Sequence, residues 1–301
     1  MKKWVTATPD LDKARSLSEA CGFSPLAAAV LCARGVDTPE KARHFLATGA
    51  EGLYDPMRLR DMDKAVAAIR EAIEEQQKII VFGDYDVDGI TATCVLLRYL
   101  RSQGANADYY IPNRLSEGYG LSCAAMDALY EQGVRLIVTV DSGVTAFEET
   151  EYAAKLGIRM VITDHHECRE ELPAAVAVVN PRRADCDYPF DELAGVGVAF
   201  KLICALAGPA GLTQVLDDYA DLVALGTVAD VMPIVGENRI LVAHGLERLA
   251  ETDNLGLEML LRESGQKSRR MTSSVISFIL APRINAAGRM GNTEQAVELF
   301  L

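Results

Sequence analysis

The sequence predicts an α/β fold: a parallel sheet with helices on both faces, a helical N-terminal extension and a helical C-terminal part. The first observation is a set of five short apolar runs between residues 78 and 180, KIIVFG, ADYYIP, RLIVTVD, IRMVITD and AAVAVVN. The second is that helix-like segments separate most of them. Short apolar strands alternating with helices indicate a sheet covered on both faces and joined by right-handed crossovers.

Each element has a local reason. PDLDKARSLSEACG, SPLAAAVLCARGV and TPEKARHFLATG each open on a capping-type residue and close near a glycine, so residues 1–75 are expected to be helical. PMRLRDMDKAVAAIREAIEEQQ then leads into the first strand. GITATCVLLRYLRSQG, LSCAAMDALYEQG and VTAFEETEYAAKLG form the connecting helices. After Pro181 the pattern is helical again, from GVGVAFKLICALAG through LDDYADLVALGTVADVMP and NRILVAHGLERLAE to SSVISFILAP. The expected boundaries are a helical region over 1–75, an α/β domain over 76–250 and a helical linker over 251–301. NTEQAVELFL reads as a helix just begun. A domain rarely ends there, so the expectation is a piece of a longer chain.

Composition excludes several classes. A chain of 301 residues, half of them hydrophobic, can bury a sizeable core in one or two domains. No apolar run reaches the roughly 18–20 residues of a membrane span. Lys2 and Lys3 are followed by Asp10 and Asp12 with no apolar segment between, which argues against a signal peptide. The seven cysteines are scattered and never form CxxC, against a disulfide framework or zinc ribbon and in favour of a cytoplasmic protein. A net charge of −13 by itself argues against nucleic acid. Carboxylates gathered around metal ions count toward that charge, however, and a groove needs only local positive potential.

The acids are not scattered. FGDYDVDG, residues 82–89, holds Asp84, Asp86 and Asp88. Asp84 follows the first strand, Asp141 follows RLIVTV, and Asp164 follows IRMVIT, with His165 and His166 next. In a parallel sheet these ends lie along one edge, where ligands bind. A single Asp after a strand is usually a turn residue or a cap. Three such strand ends plus two of the chain's four histidines on one edge call for another explanation. Crowded carboxylates repel and raise one another's pKa, and a divalent metal relieves that cost. Carboxylate and imidazole together suit manganese, with magnesium as the alternative. A calcium loop is excluded, because the twelfth position from Asp84 is Val95 where a bidentate glutamate is required.

DVDGIT resembles the DxDGT nucleophile motif of the haloacid dehalogenases. That reading leaves Asp84, His165 and His166 without a role, and Asp217-Asp218 lies inside a predicted helix where the family has an acidic pair after a strand. The fuller resemblance is to the DHH phosphoesterases. GDYDVDG, VDSG, DHH at 164–166 and GTVAD at 226–230 are similar to the four ordered motifs of that family. Within it, IPNRLSEGYGL at 111–121, NPRRADCDYPFDELAGVGVAFKL at 180–202, VMPIVGENR at 231–239 and PRINAAGRM at 282–290 resemble the single-strand-specific 5′→3′ exonuclease branch.

The resemblance implies metal ligation by first-motif aspartates among Asp84, Asp86 and Asp88, with Asp86 and Asp88 preferred. It implies a bridging Asp141, a ligating His165 and a ligating Asp230. His166 would lie near the scissile phosphate, and Asp164 would act in catalysis or support the histidines. Arg114, Arg283, Asn285 and Arg289 would grip the substrate phosphate. From the residues alone, Asp230 is an acid near a helix end and PRINAAGRM a helix end with solvated arginines. The implied activity is two-metal hydrolysis of single-stranded DNA to 5′-mononucleotides, in repair and recombination. The alternatives are a phosphodiesterase of short oligonucleotides or cyclic dinucleotides, and a non-catalytic scaffold of the same fold. The family continues past PRINAAGRM into further domains, which makes residues 251–301 the expected link toward one.

Overall fold

A computed structural model of the protein describes residues 5, 7–112, 118, 120–266 and 270–301. The chain forms two compact units, Met1–Gly52 and Leu53–Leu301. The first is built from α1 (Leu11–Cys21), α2 (Pro25–Ala33) and α3 (Pro39–Leu46). Their caps match the local sequence: Asp10, Ser24 and Thr38 each accept amides of the first turn, and Pro25 and Pro39 open their helices. Ala14, Leu17, Ala28, Leu31, Val36 and Ala42 make its small core.

The second unit carries a parallel sheet of β1 (Lys78–Phe82), β2 (Ala107–Tyr110), β3 (Val134–Thr139), β4 (Arg159–Thr163) and β5 (Ala177–Val179), in the order β2-β1-β3-β4-β5. Strand residues alternate between the two faces. Ile80, Phe82, Ile137, Met160 and Ile162 share a core with Met126 and Leu129 of α6 (Cys123–Glu131) and Ala153 of α7 (Phe147–Lys155). Ile79, Val81, Leu136, Val138 and Val161, at the alternate positions, are also fully buried. On that side lie α4 (Met62–Glu74), α5 (Val87–Ser102) and α8 (Gly195–Ala207), which pack against the strands. Both faces are therefore covered, as the near-continuous apolar strands require.

Beyond the sheet, α9 (Leu212–Ala229) packs on α5, α8 and α10 (Gly236–Ala250). The expected division at residue 75 differs from the compact units, which part after Gly52. The reason is α4, whose Met62, Ala65, Val66, Ala68, Ile69 and Ala72 are buried beside the sheet and α8. The stretch expected as a linker is packed as well. Within it α11 (Leu255–Glu263) meets α14 (Thr293–Phe300), and α14 also lies on α5 with Val297 and Phe300 buried. Between them, α12 (Ser273–Val275) passes through a π-helical turn at Ile276–Leu280 into α13 (Ala281–Arg289). No single helix among the described residues is long and apolar enough to cross a membrane.

Strand register sets up the site. Phe82 pairs with Thr139, Thr139 with Ile162, and Ile162 with Val178. Asp84, Asp141, Asp164 and Asn180 each stand two residues beyond one of those partners, so one transverse row at the carboxyl edge carries three acids and an amide.

Candidate metal centre

Three loops and two helix ends build the centre. After β1 the chain turns into α5, and Asp86 caps that helix by accepting the Gly89 amide at 3.0 Å. Asp88, in the first turn of α5, is buried and points toward α8. It accepts the amides of Gly195 at 2.7 Å and Val196 at 2.9 Å, the first two residues of that helix. A helix N-terminus offers free amides and favours negative charge. After β3, Asp141 takes a left-handed conformation, φ 56°, and is also buried. Asp230 arrives from farther along the chain as the C-cap of α9.

These groups converge on His165. Its Nε2 lies 3.1 Å from Asp141 Oδ1, 3.7 Å from Asp230 Oδ2 and 3.9 Å from Asp88 Oδ2. Three overlapping sets have donor atoms within 4.8 Å of one another: Asp84, Asp86 and Asp141; Asp88, His165 and Asp230; and Asp141, His165 and His166. All six acids and histidines predicted to hold metal, Asp84, Asp86, Asp88, Asp141, His165 and Asp230, thus fall in one cluster.

Electrostatics separates the residues by role. Burial, reinforced by neighbouring aspartates, raises the pKa of Asp88 and Asp141 well above the ordinary carboxylate range. Burial, with Asp86 next, pushes Asp230 up to about 6. Burial pushes His165 down to about 4, aided by the neighbouring His166. Buried carboxylates facing a neutral imidazole lack a compensating cation. Asp141 Oδ1 is fully buried and makes no hydrogen bond. Crowded and largely buried oxygen and imidazole donors, with the orphaned Asp141 oxygen among them, fit a hard or borderline divalent ion.

Asp164 behaves differently. Its Oδ1 accepts the His165 amide at 2.8 Å, the His166 amide at 3.1 Å and pairs with His166 Nδ1 at 2.7 Å, while Oδ2 accepts the Val144 amide at 2.9 Å. Burial opposes its charge, but these hydrogen bonds outweigh burial and lower its pKa. The bond to Asp164 in turn raises His166 above its ordinary value. His166 keeps about half of its side chain in solvent beside the cluster.

The predicted phosphate grip is only partly drawn in. Arg114 lies outside the described residues. Arg283 and Arg289 are exposed and Asn285 half-buried on α13, and Arg283 donates to the Ile279 carbonyl of its own helical segment. The α13 backbone nevertheless lies against the first motif, since a Cβ on Gly288 would sit 2.5 Å from the Tyr85 carbonyl oxygen.

Two residues escaped sequence reasoning. Asn180, fully buried in the same edge row as the acids, donates to the His166 carbonyl at 2.9 Å and accepts the Arg182 amide at 2.8 Å. Arg182 sends its charge toward His165 and Asp230, lowering the pKa of the first and opposing the rise at the second. The available signal was the end of AAVAVVN, which places an amide where the other strands place an acid.

The family model described as "DHH family, N-terminal domain" matches residues 78–227, the span that contains every acid and histidine of the cluster except Asp230. Residues 78–227 belong to the DHH family. Among DHH relatives the chain is 45% identical over 299 residues to the single-stranded-DNA-specific exonuclease RecJ of Bacillus subtilis, covering 99% of this chain and 37% of that protein. To RecJ of Escherichia coli it is 39% identical over 289 residues, covering 92% of this chain and 49% of that protein. The chain therefore spans less than half the length of these relatives. A solved structure of Thermus thermophilus RecJ in complex with Mn2+ superposes at a TM-score of 0.81 with 32% identity, over 98% of this chain and 42% of the other. Another, of exonuclease RecJ bound to manganese, gives 0.74 with 38% identity over 81% of this chain and 61% of the other. The DHH fold expected from the motifs is thus the fold observed.

Proposed function

We propose that this chain carries the hydrolytic core of a metal-dependent exonuclease that degrades single-stranded DNA from its 5′ end to 5′-mononucleotides, inside the cytoplasm. The carrying observation is the His165 cluster. Buried acids with raised pKa values surround a neutral imidazole, an arrangement that stores unfavourable charge unless cations fill it. The similarity to manganese-bound RecJ structures supports manganese, with magnesium as the alternative.

Asp84, Asp86, Asp88, Asp141, His165 and Asp230 would hold two ions, with Asp141 shared because it belongs to two of the donor sets. Bound divalent ions supply activated water and offset charge on a phosphoryl group. The chain's own residues do the rest. Asp164 is a positioning residue, since three of its four hydrogen bonds fix the two histidines and the bond to the His166 ring favours that ring's charged form. His166, half exposed at the cluster, offers a proton-bearing ring to a phosphate oxygen. Arg114, Arg283, Asn285 and Arg289 are proposed to hold the phosphate of the 5′ end, because guanidinium forks match phosphate oxygens. A non-catalytic scaffold would have no need to keep this donor set.

The test is manganese-dependent release of mononucleotides from 5′-labelled single-stranded DNA, beside matched duplex and an Asp141→Ala variant. Release from single strands alone, lost in the variant, is the expected result. Tight manganese binding without release would restrict the chain to a metal-binding core. Absence of manganese binding by calorimetry would remove the metal reading altogether.

A further inference from the structure

The helix that delivers Asp230 ends in an unusual way. The Val231 amide bonds the Val228 carbonyl and the Met232 amide bonds the Thr227 carbonyl, both at 3.3 Å. This is the helix-ending motif whose turning residue, here Val231, must adopt a left-handed conformation, and glycine ordinarily takes that place. Val231 sits there at φ 61°, which a β-branched side chain resists more than almost any other. The other non-glycine residues with positive φ among the described residues are Asp61, Gln76 and Asp141, none of them β-branched.

Packing does not repay the strain. Val231 is 85% exposed, so its isopropyl group contributes little to the core. Nor is the segment loose. Asn238, fully buried, donates to the carbonyls of Pro233 and Glu192, and Glu237 beside it is buried in a network with Lys201, Tyr188 and the Tyr54 amide. The backbone behind Val231 is anchored, and an apolar group is held in water one residue from a carboxylate of the metal cluster. A strained, rigid and exposed side chain beside a reactive centre gains its purpose from what binds there.

We infer that Val231 is a substrate-contacting residue, which packs its side chain against the base of a nucleotide flanking the scissile phosphate. This rests on the proposed function. If the Asp230 carboxylate lies at the reacting phosphate, the adjoining residue falls within the reach of the nucleosides on either side of it. An apolar contact of this kind is indifferent to base identity, which suits an enzyme that must remove every nucleotide in turn.

The experiment compares wild type with Val231→Gly on two manganese-containing reactions. One substrate is an ordinary 5′-phosphorylated single strand, and the other carries abasic residues at its first two positions. The variant is expected to melt at a higher temperature than wild type, because the strain is gone. It should lose about tenfold in kcat/KM on the ordinary strand, mostly through KM, as expected for one lost apolar contact. On the abasic strand the two proteins should differ by less than about twofold, since the contact is already missing. An equal loss on both strands, or no loss on either, overturns the inference, as does a lower melting temperature for the variant. If wild type releases no nucleotide from ordinary DNA, the functional reading falls first and this inference falls with it.

Discussion

The carboxylate of Asp88 accepts the backbone amide of Gly195 at 2.7 Å, joining the first acidic motif to a helix that begins 107 residues later. Gly195 also lies against the second motif. A Cβ placed there would stand 2.5 Å from both Cβ and Oδ1 of Asp141. One glycine therefore touches two acids of the cluster: its amide bonds Asp88, and its missing side chain leaves room for Asp141.

Gly195→Ala is expected to displace Asp141 rather than to unfold the protein. Manganese-dependent hydrolysis should fall by at least about a hundredfold, because misplacing a reacting group by an ångström costs that much. The circular dichroism spectrum should stay unchanged. Full activity in this variant would show that Asp141 has room to spare.

Asp230 makes stability depend on pH. Its pKa is about 6 in the folded protein against 3.8 for an ordinary aspartate. Between those values the folded state keeps a proton that the unfolded chain has lost. The contribution to stability is full below about pH 4 and lost as the pH rises through 6. Without metal, Asp230→Asn should therefore stabilise the protein at pH 8 by on the order of 1–2 kcal/mol, after allowance for its partial exposure. Manganese should raise the wild-type melting temperature far more at pH 7 than at pH 5, since its ligands must shed protons to bind it. The variant should lose most of that rise. Thermal melts in chelator and in manganese at the two pH values give both answers.

His165 and His166 should titrate far apart in the metal-free protein. Burial holds His165 down to about 4, while the bond to Asp164 lifts His166 above 6.5. The stability that His165 contributes is full above 6.5 and lost as the pH falls toward 4. For His166 it is full below 6.5 and lost as the pH rises through its folded value. Asp164→Asn removes the charge that lifts His166, so an NMR titration should find that ring at lower pKa than in wild type. An unchanged value would mean that Asp164 does not set its charge.

Lys201 and Glu237 form a fully buried ion pair at 2.8 Å, with Lys201 also donating to the Tyr54 carbonyl and Tyr188 to the second Glu237 oxygen. Lys201→Met leaves a carboxylate buried without its cation. Urea denaturation should show a loss of about 3–5 kcal/mol. Adding Glu237→Gln should restore part of it, because the second change removes the stranded charge. A larger loss in the double variant would show that the glutamate is held by its hydrogen bonds alone.

Much of the site was legible before any coordinates. Asp84, Asp141 and Asp164 could be placed on one edge because each ends a short apolar run, and parallel strands between helices align their ends. Asp230 is an ordinary helix-end acid until the motif order gives it a role, since it lies 64 positions beyond His166. Asn180 and Arg182 lie in the NPRRADCDYP stretch but receive no role from the sequence, because an amide and an arginine after a three-residue strand carry no metal signature.

By itself the sequence determined the strands, the helices with their caps, and the candidate ligands, because each depends on neighbours a few residues away. Only the tertiary structure decided which acids share a buried space with His165, which one is consumed by hydrogen bonds, and that α4 and the last helices pack with the sheet. Those outcomes depend on register and burial. Asp88 and Asp164 are both aspartates of acidic motifs, yet one is buried against Asp230 and Asp86 and the other against an imidazole and three amides, and the charge of each follows from its surroundings.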